Sequence, residues 1–320
     1  MPGGEPARSV PEASPARVAV VDIGTNSTRL LIADVDGPSV SEIERRTRVT
    51  RLGRGVDLSG QLSSEAIESV CRVLAEYVAL YQELGATEVV AIATSAVRDA
   101  SNGEAFIAEL RERFALGARI LDGEAEARLT YRGATADRPP AEPTVVIDIG
   151  GGSTELIVGE GDDVLFHSSL QAGVVRHSER CLSNDPPAAA ELEDLAAEVR
   201  HLISDAVATD REAHAERGIA VAGTPTSLAA IEQELDPYDP SRVHGYRLSL
   251  ESIQRMLSRL ASLPLDDRLE VPGLHPDRAP TIVAGVVILI EAMRSFGLDE
   301  VEVSEHDILY GAAIEAPQKR

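Results

Sequence analysis

The chain has 320 residues, 43% of them hydrophobic, and a formal net charge of −23 at pH 7. That length accommodates two domains with full-sized cores, and the acidity excludes nucleic-acid binding through a broad basic face. Cys71 and Cys181 are too few and too distant for a disulfide framework, which points to a reducing cytoplasm.

Residues 1–16 are rich in Pro, Gly, Ala and Ser, lack the apolar core of a signal peptide, and read as a disordered tail. Apolar, β-branched runs at 17–23, 27–34 and 40–50 predict three strands joined by glycine-containing turns. Helical spacing at Ile67, Val70, Leu74, Tyr77 and Tyr81 predicts a helix over 63–84, with Ser63 or Ser64 to cap it and Gly85 to end it. A strand at 88–93, a helix at 103–114, a strand at 118–121 and a helix at 124–135 follow. The stretch 137–143 (DRPPAEP) is the expected linker, because its prolines stop a helix.

The same order then returns. Strands are predicted at 144–149, 153–158 and 164–169, helices across 188–217, a strand at 219–221 and a helix at 227–235. After a loop at 237–240 come helices at 250–263 and 276–296, a strand at 300–303 and a last helix over 306–314, free to pack on either half. The longest apolar run, 281–290, is about half of what spans a bilayer, so no membrane span is expected. Strands first, then strands alternating with helices, twice over, predict an α/β class with domains at 17–137 and 138–320, each around a mixed sheet.

A repeat makes this order chemical. VVDIGTNSTRLLI from Val20 returns as VIDIGGGSTELIV from Val146, aligning Asp22 with Asp148, Gly24 with Gly150, Ser27 with Ser153 and Thr28 with Thr154. In each copy an apolar strand ends in an acid, and a glycine-rich turn lined by hydroxyls follows. Such turns let a phosphate oxygen approach closely and aim backbone N–H groups at one point. The acids would repel phosphate unless a hard cation lay between, which suggests Mg²⁺ held by carboxylate and substrate oxygens. One copy alone reads as a tight turn; two in register read as the jaws of a phosphate clamp.

Arg98, in ATSAVRDASNG, follows a strand end, where open α/β sheets place ligands; it either grips phosphate or pairs with Asp99. In ILDGEAEARLTYRG, Glu124, Glu126 and Arg128 open a helix; spacing alone favours a capping role, with water orientation by Glu126 as the alternative. Arg45, Arg46, Arg48, Arg51 and Arg54 suit either a polyanion rail or a solvated strand edge. Lys319 is the only lysine among 30 basic residues, so no P-loop lysine exists. The seven histidines show no ligand spacing, so zinc is not expected.

Together with RLGRGVDLSGQLS, AGTPTSLAA and VPGLHPDRAPTIVAGVVIL, these segments resemble the exopolyphosphatase/guanosine-pentaphosphate phosphatase family, within the superfamily of actin, sugar kinases and heat-shock ATPases. The resemblance covers residues 18–314. It implies two actin-like domains, an active site in the cleft between them, and release of terminal orthophosphate from inorganic polyphosphate with Mg²⁺, or Mn²⁺ as the alternative ion. By the same resemblance Glu126 becomes the general base or water orienter, which reverses the capping reading. Arg98 takes the place of a phosphate-binding arginine, and Asp148, Glu155 and Asp22 those of metal or water ligands. Thr25, Asn26 and Ser27 match a first phosphate loop; Gly150, Gly151, Gly152, Ser153 and Thr154 match the second. Arg278 matches a recurring arginine whose role the residues alone do not give.

Guanosine pentaphosphate is the alternative substrate, with the penta- and tetraphosphates also implied as inhibitors. An actin-like kinase and a non-catalytic polyphosphate sensor are the rival classes; Glu126 and the departure of AGTPTSLAA from a glycine-rich adenine seat count against the kinase. The resemblance also implies a homodimer, while the cysteine usage, the acidity and the short apolar runs point to a cytoplasmic protein with neither nucleic acid nor membrane as partner.

Overall fold

The structure, a computed structural model, describes residues 16–137, 142–207 and 214–316. Of the expected tail and linker, residues 1–15 and 138–141 lie outside the described residues; Ala16 already belongs to the first strand.

Two mixed sheets organise the chain. The first is five-stranded in the order β3-β2-β1-β4-β5, built from β1 (Ala16–Ile23), β2 (Ser27–Asp36), β3 (Ser39–Val49), β4 (Glu88–Ala93) and β5 (Arg119–Ile120). The second is six-stranded in the order β10-β11-β9-β6-β7-β8. Its strands are β6 (Thr144–Ile149), β7 (Thr154–Glu160), β8 (Asp163–Leu170), β9 (Arg217–Val221), β10 (Arg247–Ser249) and β11 (Glu300–Val303). β1 and β6 hold equivalent central places, each with an antiparallel hairpin on one side and a parallel strand on the other. β6 is buried along its whole length, and β1 from Val18 onward. Strands covered on both faces read as continuous apolar runs rather than as alternation.

The repeat survives in the backbone. The Gly24 N–H donates to the Ser27 carbonyl at 3.0 Å, and the Gly150 N–H to the Ser153 carbonyl at 2.9 Å. Strand register sets Asp22 opposite Arg29 in the first copy and Asp148 opposite Glu155 in the second.

The helix Ser64–Glu83 buries Val70, Leu74 and Tyr77 in the first half's core, and the Ser63 side chain caps it by accepting the Ala66 N–H. The helix expected over 276–296 is two pieces: a 3₁₀ turn at Pro276–Arg278, then the helix Ile282–Ser295. Pro280 lies between them and has no N–H to continue the ladder. Short helices at Ser95–Asp99 and Val174–Cys181 were not anticipated. The helix Ala189–Val207 occupies the start of the expected 188–217 stretch, and residues 208–213 lie outside the described residues.

Two helices trade sheets. Gly123–Ala134 lays Ala127, Tyr131 and Ala134 on Val146, Ile157 and Val221 of the second sheet. The last helix, Ile308–Glu315, lays Leu309, Ala312 and Ala313 on Val18, Val20 and Leu31 of the first. They cross where glycine permits: a Cβ on Gly133 would stand 1.8 Å from the Asp307 carbonyl oxygen, and one on Gly311 1.8 Å from that of Leu129. No helix among the described residues is long and apolar enough to cross a membrane.

Candidate active site

Both hairpin turns open into one cleft of about 80 Å³ of water-accessible space. The turns nearly touch. A Cβ on Gly151 would lie 2.9 Å from the Asn26 nitrogen, and one on Gly152 would lie 2.6 Å from the Ser95 hydroxyl. Only glycine fits at this approach, which accounts for the GGG run. The Gly150 and Gly151 carbonyls accept N–H groups from Val174 and Val175 at 3.0 and 2.9 Å, where the helix Val174–Cys181 begins. Among the described residues no backbone carbonyl takes the Gly151 and Gly152 N–H groups, which leaves them available to an anion. Thr25, Asn26, Ser27 and Ser153 also line the cleft, and the buried Asn26 Nδ2 has no hydrogen-bond partner. Thr154 departs from its expected place. It is fully buried with its hydroxyl donated to the Ala172 carbonyl, and it does not line the cleft.

The two copies differ at one decisive position. In the first, Arg29 opposite Asp22 donates to its Oδ2 from Nε at 2.8 Å, and pairs through Nη1 with Asp307. Asp22 Oδ1 is left buried without a partner. In the second copy Glu155 replaces the arginine, so two buried carboxylates oppose each other, an arrangement that destabilises a strand pair. Burial and the nearby Asp307 charge push Asp148 up to about 7, against the pull of Arg29. Burial, followed by the Glu126 and Asp148 charges, raises Glu155 well above the usual carboxylate range, although Ser169 donates to it at 2.9 Å.

Glu126 is buried on the first turn of the helix Gly123–Ala134. The cap of that helix is Asp122, which accepts the Ala125 N–H at 2.8 Å, so Glu126 is released from the role that spacing favoured. Its carboxylate takes Arg98 Nη1 at 2.7 Å. Burial is the largest influence on its pKa, which stays raised despite the Arg98 hydrogen bond and charge, with the Asp22 and Asp99 charges adding to the rise. Arg98 stands 3.9 Å from Asp99 and donates to the Leu121 carbonyl at 3.0 Å, so its main partner is Glu126. It backs Glu126 rather than lining the cleft. Glu124 is exposed and takes no part.

Asp307 enters without any sequence signal to reveal it, and Arg278, singled out only by resemblance, acquires a place. Asp307 caps the last helix by accepting the Leu309 N–H at 3.0 Å, and its tie to Arg29 spans 278 positions. Arg278 lies over Gly223, where a Cβ would stand 2.5 Å from its Cζ, and burial followed by the Arg29 charge lowers its pKa. Beside it Ala222 holds φ 71°, a left-handed backbone that costs a non-glycine residue about 1–3 kcal/mol and gathers at functional sites.

Two other expectations resolve outside the cleft. Asp137, His244 and His306 meet with ligand atoms within 4.8 Å of one another. His244 Nδ1 accepts the Glu305 N–H at 3.2 Å, which puts its proton on Nε2, 3.1 Å from Asp137. That nitrogen is a donor to a carboxylate, not a metal ligand. Of the basic cluster, Arg45 pairs with Glu42 and Glu305 and Arg46 with Glu44, on the edge strand β3.

Two related halves of actin-like fold meet at glycine-rich turns and a buried acid cluster, and comparison with known proteins places this arrangement among the phosphatases. The chain belongs to the Ppx/GppA phosphatase family, which matches residues 31–313. It is 36% identical over 312 residues to exopolyphosphatase 2 of Mycobacterium tuberculosis, covering 93% of this chain and 98% of that protein. The solved structure of an exopolyphosphatase-like protein superposes with a TM-score of 0.89 at 32% identity, covering 95% of this chain and 98% of the other. A guanosine-5'-triphosphate,3'-diphosphate pyrophosphatase of Pseudoalteromonas translucida is 29% identical over 88% of this chain and 56% of its own length.

Proposed function

We propose that the protein is an exopolyphosphatase that releases terminal orthophosphate from inorganic polyphosphate. The observation that carries this reading is Glu126, buried in the phosphate cleft and free of capping duty. The terminal phosphoryl group sits against the Gly151 and Gly152 N–H groups and the hydroxyls of Thr25, Ser27 and Ser153. Glu126, its pKa raised by burial, takes a proton from water as the water oxygen bonds to phosphorus. The bridging P–O bond breaks in line, and the shortened chain leaves with the electron pair. Arg98 orients Glu126 from behind and holds positive charge against its carboxylate.

The acids fit a hard divalent cation. Asp22 Oδ1 is unpartnered, and the opposed Asp148 and Glu155 make no direct ion pair among the described residues. These three would hold Mg²⁺, with Mn²⁺ the alternative, and the ion when bound supplies charge neutralisation to the terminal phosphates. A chelator should abolish phosphate release, and re-addition of each ion in turn identifies the one used.

The test is orthophosphate release from polyphosphate, guanosine pentaphosphate and ATP. Glu126→Ala is expected to slow release from polyphosphate by roughly 10²–10⁴-fold. Activity within a few-fold of wild type would remove Glu126 from the reaction. The likeness to the Pseudoalteromonas enzyme favours guanosine pentaphosphate as the second substrate. ATP turnover with a sugar acceptor would indicate a kinase instead, and tight binding without turnover in either protein a sensor. The homodimer and cytoplasmic setting belong to the same reading, and light scattering tests the first.

A further inference from the structure

Arg176 does not line the cleft, yet its guanidinium ties together three pieces that do the cleft's work. Its Nε donates to the Gly152 carbonyl at 2.7 Å, in the second phosphate turn. Its Nη2 meets Asp99 at 3.1 Å, at the end of the short helix that carries Arg98. Its Nη1 pairs with Asp57, on the short helix Val56–Ser59. The segment leading to that helix is itself bound to the first phosphate turn: the Gly53 N–H donates to the Thr25 carbonyl at 2.8 Å, and the Arg51 N–H to the Asn26 carbonyl at 2.9 Å. One turn beyond Arg176 on the helix Val174–Cys181, Glu179 accepts the Gly55 N–H at 3.2 Å.

The second turn thus has every glycine carbonyl tied to the helix that carries Arg176: Gly150 and Gly151 by backbone N–H groups, Gly152 by the guanidinium. Turning a carbonyl one way turns the N–H of the next residue the other way, because the peptide unit is planar. The Arg176 contact therefore sets the direction of the Ser153 N–H. The same side chain reaches across to the first half through two carboxylates, so opening the cleft breaks all of its cross-half bonds together. Its side chain is only 14% exposed, where charge-assisted bonds are screened less than at the surface.

We propose that Arg176 is a positioning residue that clasps the two halves shut and aims the second phosphate turn. Its kinetic consequence rests on the phosphatase reading; its effect on closure does not. For the kinetic arm, orthophosphate release from polyphosphate is measured for wild type, Arg176→Ala, Asp57→Asn and the double variant. Arg176→Ala should lower kcat by about 100-fold, the scale of a 1 Å misplacement, with KM changed far less. Added guanidinium ion at millimolar concentration should restore part of that loss, which a merely structural defect would not allow. Asp57→Asn should cost less, and the double variant should be no slower than Arg176→Ala alone, since both act through one clasp.

For the closure arm, small-angle scattering is recorded with orthophosphate and Mg²⁺ present. Wild type should contract on adding them, and Arg176→Ala should stay expanded. An Arg176→Ala protein with wild-type kcat and wild-type contraction overturns the proposal. Should that variant fail to fold, Asp57→Asn decides: unchanged contraction and unchanged kcat in it also overturn the clasp. A wild type that releases no phosphate would sink the phosphatase reading, while the scattering would still judge the clasp.

Discussion

Asp148 and Glu155 face each other across β6 and β7, both buried, and neither has an arginine of its own. In the proposed enzyme these acids serve a bound cation, which makes the pair a weak point whenever the cation is missing. Replacing one of the opposed acids, as Glu155→Gln, should raise the unfolding midpoint of the metal-free protein while lowering phosphate release at least about tenfold, a trade of function for stability. Calorimetry with chelator, followed by an activity assay, checks both. The pH dependence follows from Asp148. Its pKa is raised in the folded state, to about 7 from the usual carboxylate range, so the folded chain binds more protons than the unfolded chain in that interval. Stability of the metal-free protein should therefore fall as pH rises from about 4 to 7 at this site. Divalent cation should accordingly raise the melting temperature more at pH 8 than at pH 6, since binding requires the deprotonated acids.

Among the elements, the crossed pair Gly123–Ala134 and Ile308–Glu315 is held at backbone distance. A Cβ at Gly133 meets carbonyl oxygen rather than a flexible side chain, and nothing can rotate away. Gly133→Ala should cost about 1–3 kcal/mol or more in urea unfolding, the range for overpacking a tight contact. Long elements were legible before any coordinates: the central strands through their unbroken apolar runs, and Ser64–Glu83 through its spacing and its Ser63 cap. The doubled DIG turn also revealed itself, because acid, glycine and hydroxyl recur in register. The helices of four to eight residues, apart from the last, did not, since a turn or two is too short to show a period. The helices carrying Arg98 and Arg176 are of this kind. Contacts between distant segments were equally hidden: Asp307 reaches Arg29 from the far end of the chain, and His244 reaches His306 only through the fold. Thr154 misled because its match to Thr28 is structural, and both hydroxyls serve the framework rather than the cleft.

At the scale of the molecule, a chain of formal charge −23 is to receive a polyanion. Long-range repulsion should slow encounter at low salt and relax as the Debye length shrinks to about 10 Å near 0.1 M. kcat/KM for polyphosphate should then rise between low and near-physiological salt at fixed free Mg²⁺, opposite to the usual behaviour of a basic polyanion binder, and a phosphate-release titration in NaCl measures it. The traded helices carry a consequence for how the gene can be cut. A break within 138–141 would leave each fragment lacking the helix that shields its own sheet, while carrying one that shields the other's. Fragments made apart should precipitate; made together in one cell, they should reconstitute a soluble enzyme, each completing what its counterpart lacks.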